Sequence, residues 1–234
     1  IVEGITEWLP VSSTGHLILL DEFLSFSLAP DAVFTAEFCE MFDVVIQLGA
    51  ILAVVVTYFS RLWPLDPKKG RVENARIWKL WFKVLVASVP AALAGIVFDK
   101  ILEELSGKDI DGWLYNAPVV VAALIIYGVF FILIEKFNKK QARVECVDDI
   151  SFRQAFAIGI FQMLAIIPGT SRSGSTILGS MLIGLSRTAA AEFSFFMAIP
   201  AMAGASAIKA LGFLSYVSES GVSVPALAWV TLFV

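Results

Sequence analysis

Four apolar runs, Phe42–Ser60, Ile77–Phe98, Ala117–Ile134 and Thr188–Phe213, each approach or exceed the length a helix needs to cross a bilayer, which is about 20 residues. A fifth begins near Val222. This pattern leaves few folds open. Lipid offers no water to backbone N–H and C=O groups, so such segments must be helical. A soluble fold fails on surface: 58% of residues are hydrophobic, 16% are charged and mean hydropathy is +0.82. Soluble domains carry about 25% charged residues, and a chain this apolar could not cover itself in water. The expected fold is all-α, a single polytopic transmembrane domain over residues 1–234.

Two further apolar stretches are interrupted. Ile1 to Leu20 is broken by Pro10, Ser12, Ser13, Thr14, Gly15 and His16, and Phe152 to Leu185 by Pro168 through Thr176. Each reads as a short helix, a polar break and another short helix, with flanks too short to span alone. That is the pattern of a re-entrant hairpin, because irregular backbone at membrane depth survives only where it lines a cavity or is buried in protein.

Loop charge gives the orientation. The Arg61–Lys79 connection holds Arg61, Lys68, Lys69, Arg71, Arg76 and Lys79, and the Lys136–Arg153 connection holds Lys136, Lys139, Lys140, Arg143 and Arg153. Both are expected inside. The Asp21–Asp43 segment has Asp21, Glu22, Asp31, Glu37, Glu40 and Asp43 with no basic residue, and the Asp99–Asp111 loop is mostly acidic; both are expected outside. Cys39 and Cys146 then lie on opposite sides, which rules out a disulfide between them, and they lack metal-ligand spacing. The first hairpin enters from the outer face and the second from the inner. The Phe42–Ala50 stretch, which follows the first hairpin, is faintly similar to Phe193–Ala201, which follows the other. The arrangement implies an inverted-topology repeat, its first unit about 1–98 and its second about 117–234, with the hairpins meeting near the midplane. Trp63, Trp78, Trp81, Trp113 and Tyr115 fall near predicted helix ends, as interfacial anchors do. The chain starts at Ile1 without Met and stops within an apolar run, so truncation at both ends is expected; no signal peptide is legible.

Ionisable residues inside a membrane are costly, so they point to function. Glu3 and Glu7, four apart, share one helix face. His16, the one histidine, follows the first break; Arg172 sits in the second; Glu192 lies five residues after Arg187 as a structural partner of Arg172 or Arg187. The second break, Gly169-Thr-Ser-Arg-Ser-Gly-Ser-Thr, is an anion cradle by composition. Glycines let backbone N–H groups close on a ligand, helix N-termini add positive dipole ends, and a guanidinium binds phosphate oxygens bidentately. The first break offers two carboxylates, a histidine and the hydroxyls of Ser12, Ser13 and Thr14. Carboxylates suit such a site if they hold a divalent cation that bridges to a pyrophosphate, or if one orients a base. His16 could serve as acid, base or nucleophile. The blander alternatives are a structural pairing of Glu3 and Glu7 with Arg172 and a satisfied core histidine. The net charge of −4 and the lack of a basic patch argue against a nucleic-acid partner.

The stretches Glu3-Gly-Ile-Thr-Glu-Trp-Leu-Pro-Val-Ser-Ser-Thr-Gly-His16 and Pro168-Gly-Thr-Ser-Arg-Ser-Gly-Ser-Thr176 resemble the two signature motifs of the bacterial undecaprenyl-pyrophosphate phosphatases, the bacitracin-resistance protein family. The Phe42–Ala50 stretch and Glu192-Phe-Ser-Phe are similar to family segments too. The resemblance covers nearly the whole chain and shows no departure at the motif positions, while the family's extreme N-terminus and last helices are missing. It implies hydrolysis of undecaprenyl pyrophosphate to undecaprenyl phosphate and inorganic phosphate, recycling the carrier lipid for cell-wall synthesis. It also implies a divalent cation, magnesium or calcium, and a site in the bacterial inner membrane opening to the outer face. Carried over by motif, the catalytic set is Glu7, Ser13, His16 and Arg172. The phosphate-binding set is Ser12, Thr14, Gly169, Ser171, Ser173 and Thr176, and Glu3 and Glu7 are the metal ligands. The attacking group stays open among Ser13, His16 and water, with a carboxylate-assisted Ser13 as the working version. Expected partners are the polyprenyl pyrophosphate, the bilayer and a second copy of the chain. The competing class is a transporter or lipid flippase for polyprenyl phosphates, since inverted repeats with broken helices are the usual transporter plan. The type-2 phosphatidic acid phosphatases need a second histidine that this chain lacks, and a passive scaffold does not explain the buried charges.

Overall fold

A computed structural model of the chain describes residues 1–21, 23, 32–66, 69–107, 113–114, 116–137 and 142–232. Glu22, Asp31, Lys68, Asp111, Tyr115, Lys139 and Lys140, invoked above for orientation or anchoring, lie outside the described residues. Every regular element among the described residues is helical, apart from an isolated parallel bridge between Val144 and Leu185.

The helices are α1 (Val2–Thr6), α2 (Ser13–Asp21), α3 (Ala32–Val45), α4 (Gln47–Thr57), α5 (Phe59–Leu62), α6 (Arg71–Ser106), α7 (Ala117–Phe137), α8 (Phe152–Gln162), α9 (Arg172–Leu182), α10 (Arg187–Ser220) and α11 (Ala226–Thr231). Four helical stretches are long and apolar enough to cross a membrane: Val33–Thr57, formed by α3 and α4 together, Arg71–Leu105, Ala117–Phe137 and Arg187–Ser220. They overlap the four apolar runs: the last three extend beyond theirs, while the first is offset, beginning at Val33 and ending at Thr57, short of Ser60. The Asp99–Ser106 part of the expected outer loop is a continuation of α6, ended by Gly107 in the left-handed region at φ 69°. Charged residues at the end of a long helix keep its backbone bonds and reach water with their tips, so apolarity ends before the helix does. Of the apolar window of α7 only 6% is buried inside the protein, so its remaining faces need lipid around them.

The core lies where α6, α8, α9 and α10 meet. Val84 and Ala87 of α6 pack with Ile158 of α8 and with Phe193, Phe196 and Met197 of α10. The closest pair is α6 with α8, and Gly159 makes it possible: a Cβ there would stand 2.2 Å from the Ala87 carbonyl oxygen. Neither backbone can yield without moving a whole helix. Gly159→Ala is therefore expected to cost about 3 kcal/mol and to lower the thermal midpoint of the detergent-purified protein. An unchanged midpoint would mean that the two helices part freely.

The two basic connections lie at one end of the bundle. Arg76 pairs with Asp148 at 3.9 Å, and the buried Lys83 donates to the Asp148 carbonyl at 2.6 Å. Nearby polar links join Arg61 to Glu192 and Arg187 to Glu135. A separate aromatic cluster packs Phe34, Phe38 and Met41 of α3 against Phe213 of α10. Cys39 and Cys146 are not joined by a disulfide.

Candidate active site

Both interrupted stretches fold as helix, break and helix. In the first, α1 stops after Thr6, whose Oγ1 donates to the Val2 carbonyl at 2.7 Å. The chain turns through Pro10 to Ser12, which holds φ at 62°. A non-glycine residue in the left-handed region stores strain, and such strain concentrates at functional sites. The turn gives α2 its cap: Ser12 Oγ accepts the Gly15 N–H at 3.2 Å. In the second, α8 tightens into a 3-10 turn at Met163–Ile166, and the chain passes Pro168 and Gly169 before α9 begins at Arg172. Ser171 caps α9 by accepting from Gly174 N–H at 3.1 Å.

The two breaks touch. A Cβ on Gly15 would lie 3.1 Å from Gly169 Cα, and one on Gly169, at φ 89°, would lie 2.7 Å from the Val120 carbonyl oxygen of α7. Only glycine permits this approach. It brings Arg172 to Glu7 and Ser13, although Arg172 lies 165 residues from Glu7 in sequence. Ser13 Oγ donates to Glu7 Oε2 at 2.5 Å, and Arg172 Nη2 donates to Glu7 Oε1 at 3.1 Å. The other guanidinium nitrogen, Nη1, donates to the Ser194 carbonyl at 3.3 Å, while Arg172 Nε has no partner. With side-chain exposures of 12% for Glu7 and 17% for Arg172, the pair is largely desolvated, so removing either partner leaves a costly lone charge.

A cleft of about 220 Å³ opens on this triad, lined by Glu7, Ser12, Ser13 and Thr14 from one side and Gly169, Ser171, Arg172 and Ser173 from the other. Three further expected residues, Thr176, His16 and Glu3, do not line it. Thr176 is 0% exposed, and its hydroxyl is engaged with Ser194 Oγ at 2.7 Å and with the Arg172 and Ser173 carbonyls. His16 donates from Nδ1 to the Ser12 carbonyl at 2.8 Å, since a carbonyl can only accept. Its ring borders a different pocket, beside Pro10, Leu124 and Tyr127. Glu192 pairs with Arg61, which corrects the expectation of Arg172 or Arg187: those two have Glu7 and Glu135.

Glu3 is buried at 6% exposure, and neither carboxylate oxygen has a hydrogen-bond partner. Its charged neighbours are Glu7 and, more weakly, Asp43. An orphaned buried carboxylate beside a second one, Glu7, is an all-oxygen, net-negative pair of the kind that suits a hard divalent cation. Among the described residues no group of three His, Cys, Asp or Glu side chains could hold a metal ion. Magnesium rarely needs such a group: it commonly takes one or two carboxylates and completes its shell with water and substrate oxygens.

Sequence reasoning passed over Thr6, Gln47 and Met202, which also line the cleft, together with Thr170 of the expected anion cradle. Gln47 donates to Thr14 Oγ1 at 3.5 Å and had a visible signal, as an amide inside an otherwise apolar run. Met202, whose sulfur accepts from Arg172 Nη2 at 3.7 Å, had none.

Residues 1–234 match the sequence profile described as Bacitracin resistance protein BacA. Relatives named undecaprenyl-diphosphatase include one from Enterococcus faecalis, 53% identical over 92% of this chain and 73% of its own. Another, from Lachnoclostridium phytofermentans, is 51% identical over 91% and 73%. One from Desulfitobacterium hafniense is 50% identical over 91% and 72%.

Proposed function

The chain belongs to the bacitracin resistance protein BacA family, and from that premise we propose that it is an undecaprenyl-diphosphatase. It hydrolyses undecaprenyl pyrophosphate to undecaprenyl phosphate and inorganic phosphate, which returns the carrier lipid to cell-wall synthesis. The observation that carries the chemistry is the Ser13–Glu7–Arg172 chain of hydrogen bonds across the two breaks. A hydroxyl 2.5 Å from a carboxylate oxygen is an activated nucleophile with its base in place. Glu7 takes the Ser13 proton as Oγ attacks the terminal phosphorus. The Oγ–P bond forms, the bond from phosphorus to the bridging oxygen breaks, and undecaprenyl phosphate leaves, its freed oxygen taking the proton from Glu7. Glu7, ionised again, accepts a proton from the water that attacks the phosphoserine; the P–Oγ bond breaks, and Glu7 returns that proton to Ser13 Oγ as inorganic phosphate departs. Arg172 holds the non-bridging oxygens through this exchange, where charge stabilisation contributes most to phosphoryl transfer.

Ser12 and Ser171 act chiefly as caps that aim the two helix N-termini, while Thr14, Ser173 and the Gly169 backbone face the phosphates. A divalent cation, magnesium or calcium, would be held by Glu3 with Glu7, and bound there it would neutralise pyrophosphate oxygens. The two broken stretches act as re-entrant hairpins of an inverted repeat in the bacterial inner membrane. The gathering of both basic connections at one end of the bundle supports a cytoplasmic end there, with the cleft opening to the outer face.

The test is phosphate release from undecaprenyl or farnesyl pyrophosphate by detergent-purified protein, with and without EDTA. Release is expected, with EDTA abolishing it and added magnesium or calcium restoring it. Release untouched by EDTA would remove the cation from the reading. A folded protein that released no phosphate would return the assignment to a lipid flippase.

A further inference from the structure

The polar cleft accounts for the phosphates and leaves open where the chain behind them lies. A groove of about 570 Å³ runs between α7 and the second broken stretch. Its walls include Ala123, Ile126, Phe130 and Ile134 of α7 on one side and Leu178 and Leu182 of α9 on the other. Among the described residues, Tyr127, Thr170 and Ser175 alone bring polar groups to it. Thr170 also lines the catalytic cleft, so the groove begins at the second break, beside the cleft.

The direction of the groove follows from the packing. Gly169 sits against Val120 and Ala123, which places the near end beside the phosphate site. Ile134 lies eleven residues beyond Ala123, about 16 Å further along α7. Leu182 lies ten residues beyond Arg172, about 15 Å along α9. The two helices therefore diverge from the reacting centre together and define one apolar track with a polar head. Small residues shape the groove: Ala122 and Ala123 line the α7 side, and a Cβ at Gly179 would stand 2.2 Å from Cγ of Phe161, whose ring forms part of the lining.

We propose that this groove seats the prenyl chain of the substrate, its first units beside Thr170 and later ones passing Ile134 and Leu182. The inference rests on the phosphatase reading above and adds the site for the tail. An apolar chain tethered to a phosphate in the cleft is the occupant that suits an almost wholly apolar lining starting at Thr170. Ordinary bilayer lipid, which has no such tether, is the competing occupant. The pocket on the other flank of α7, beside His16 and Phe131, also meets the cleft, at Gly169 and Ser171, and is the competing route.

Ile134→Trp and Phe131→Trp, made separately, decide between them, with KM measured for undecaprenyl pyrophosphate and for the much shorter farnesyl pyrophosphate. Ile134→Trp is expected to raise the undecaprenyl-to-farnesyl KM ratio about tenfold, through lost apolar contact along the far half of the chain. Phe131→Trp is expected to leave the ratio unchanged. A ratio unmoved by Ile134→Trp means that lipid fills the groove and overturns the proposal; so does a shift confined to Phe131→Trp, which puts the tail on the other flank. Thermal midpoints identify a variant that has failed to fold, and Leu182→Trp then replaces Ile134→Trp at the same end. Wild-type protein inactive on both substrates would instead overturn the phosphatase reading itself.

Discussion

Arg172→Ala is expected to lower phosphate release by about a thousandfold or more in a protein that still folds. Among the described residues Arg172 is the one guanidinium lining the cleft, and it already reaches Glu7 and the Ser194 carbonyl with its two terminal nitrogens. It is therefore pinned at the place where the transferring group must carry its charge, and it loses little freedom on engaging substrate. Alanine removes the clamp and strips Glu7 of its cation. The carboxylate then has only Ser13 against it in a largely desolvated site, which also disturbs the base. Arg172→Lys separates charge from geometry. It restores the positive charge but not two parallel donors, so it should recover only a small part of the loss. The measurement is kcat/KM together with the thermal midpoint, since α9 keeps its Ser171 cap in either variant. Near-normal turnover in Arg172→Ala would sink the assignment of the site.

The positions of the spans were legible because apolar length is a local property. The four runs needed only a count against bilayer thickness, and each meets a long helix. Their ends were not legible: Arg71–Ser106 exceeds the Ile77–Phe98 run at both sides, because polar residues at a helix end do not stop it. The two breaks announced themselves through Pro, Gly and hydroxyl residues, and the Glu7–Arg172 contact follows from both being charges that lipid would not tolerate alone. Partner choice elsewhere depends on how the helices cross. Arg61 and Glu192 are far apart in sequence, and nothing near either residue names the other. The same holds for Thr176, whose hydroxyl turns to Ser194 on α10, and for His16, whose side of α2 is fixed by the Ser12 carbonyl and by α7 packing close to it. A motif gives residue types in order, but which hydroxyl faces the cleft is settled by helix phase and by the glycine contact between the breaks.

Ser13→Ala is expected to lower kcat by about four orders of magnitude with KM little changed. Ser13 donates its one proton to Glu7, so its oxygen lone pairs are free to attack, while Ser12 Oγ is committed to the Gly15 N–H and Thr14 Oγ1 accepts from Gln47. Of the three adjacent hydroxyls only Ser13 has a base. If water attacked instead, with Glu7 as its base, the alanine variant would keep that base and its Arg172 clamp, and the loss would stay within about a hundredfold. If His16 attacked, its replacement would be the more damaging, yet its ring borders the opposite pocket. The covalent step adds an independent readout. Substrate labelled in its terminal phosphate, quenched in acid during turnover, should leave label on Ser13 in the wild type and none in Ser13→Ala. Label found on His16, or a Ser13→Ala protein that keeps a hundredth of wild-type turnover, would transfer the nucleophile's role and leave Ser13 as an orienting hydrogen-bond donor to Glu7.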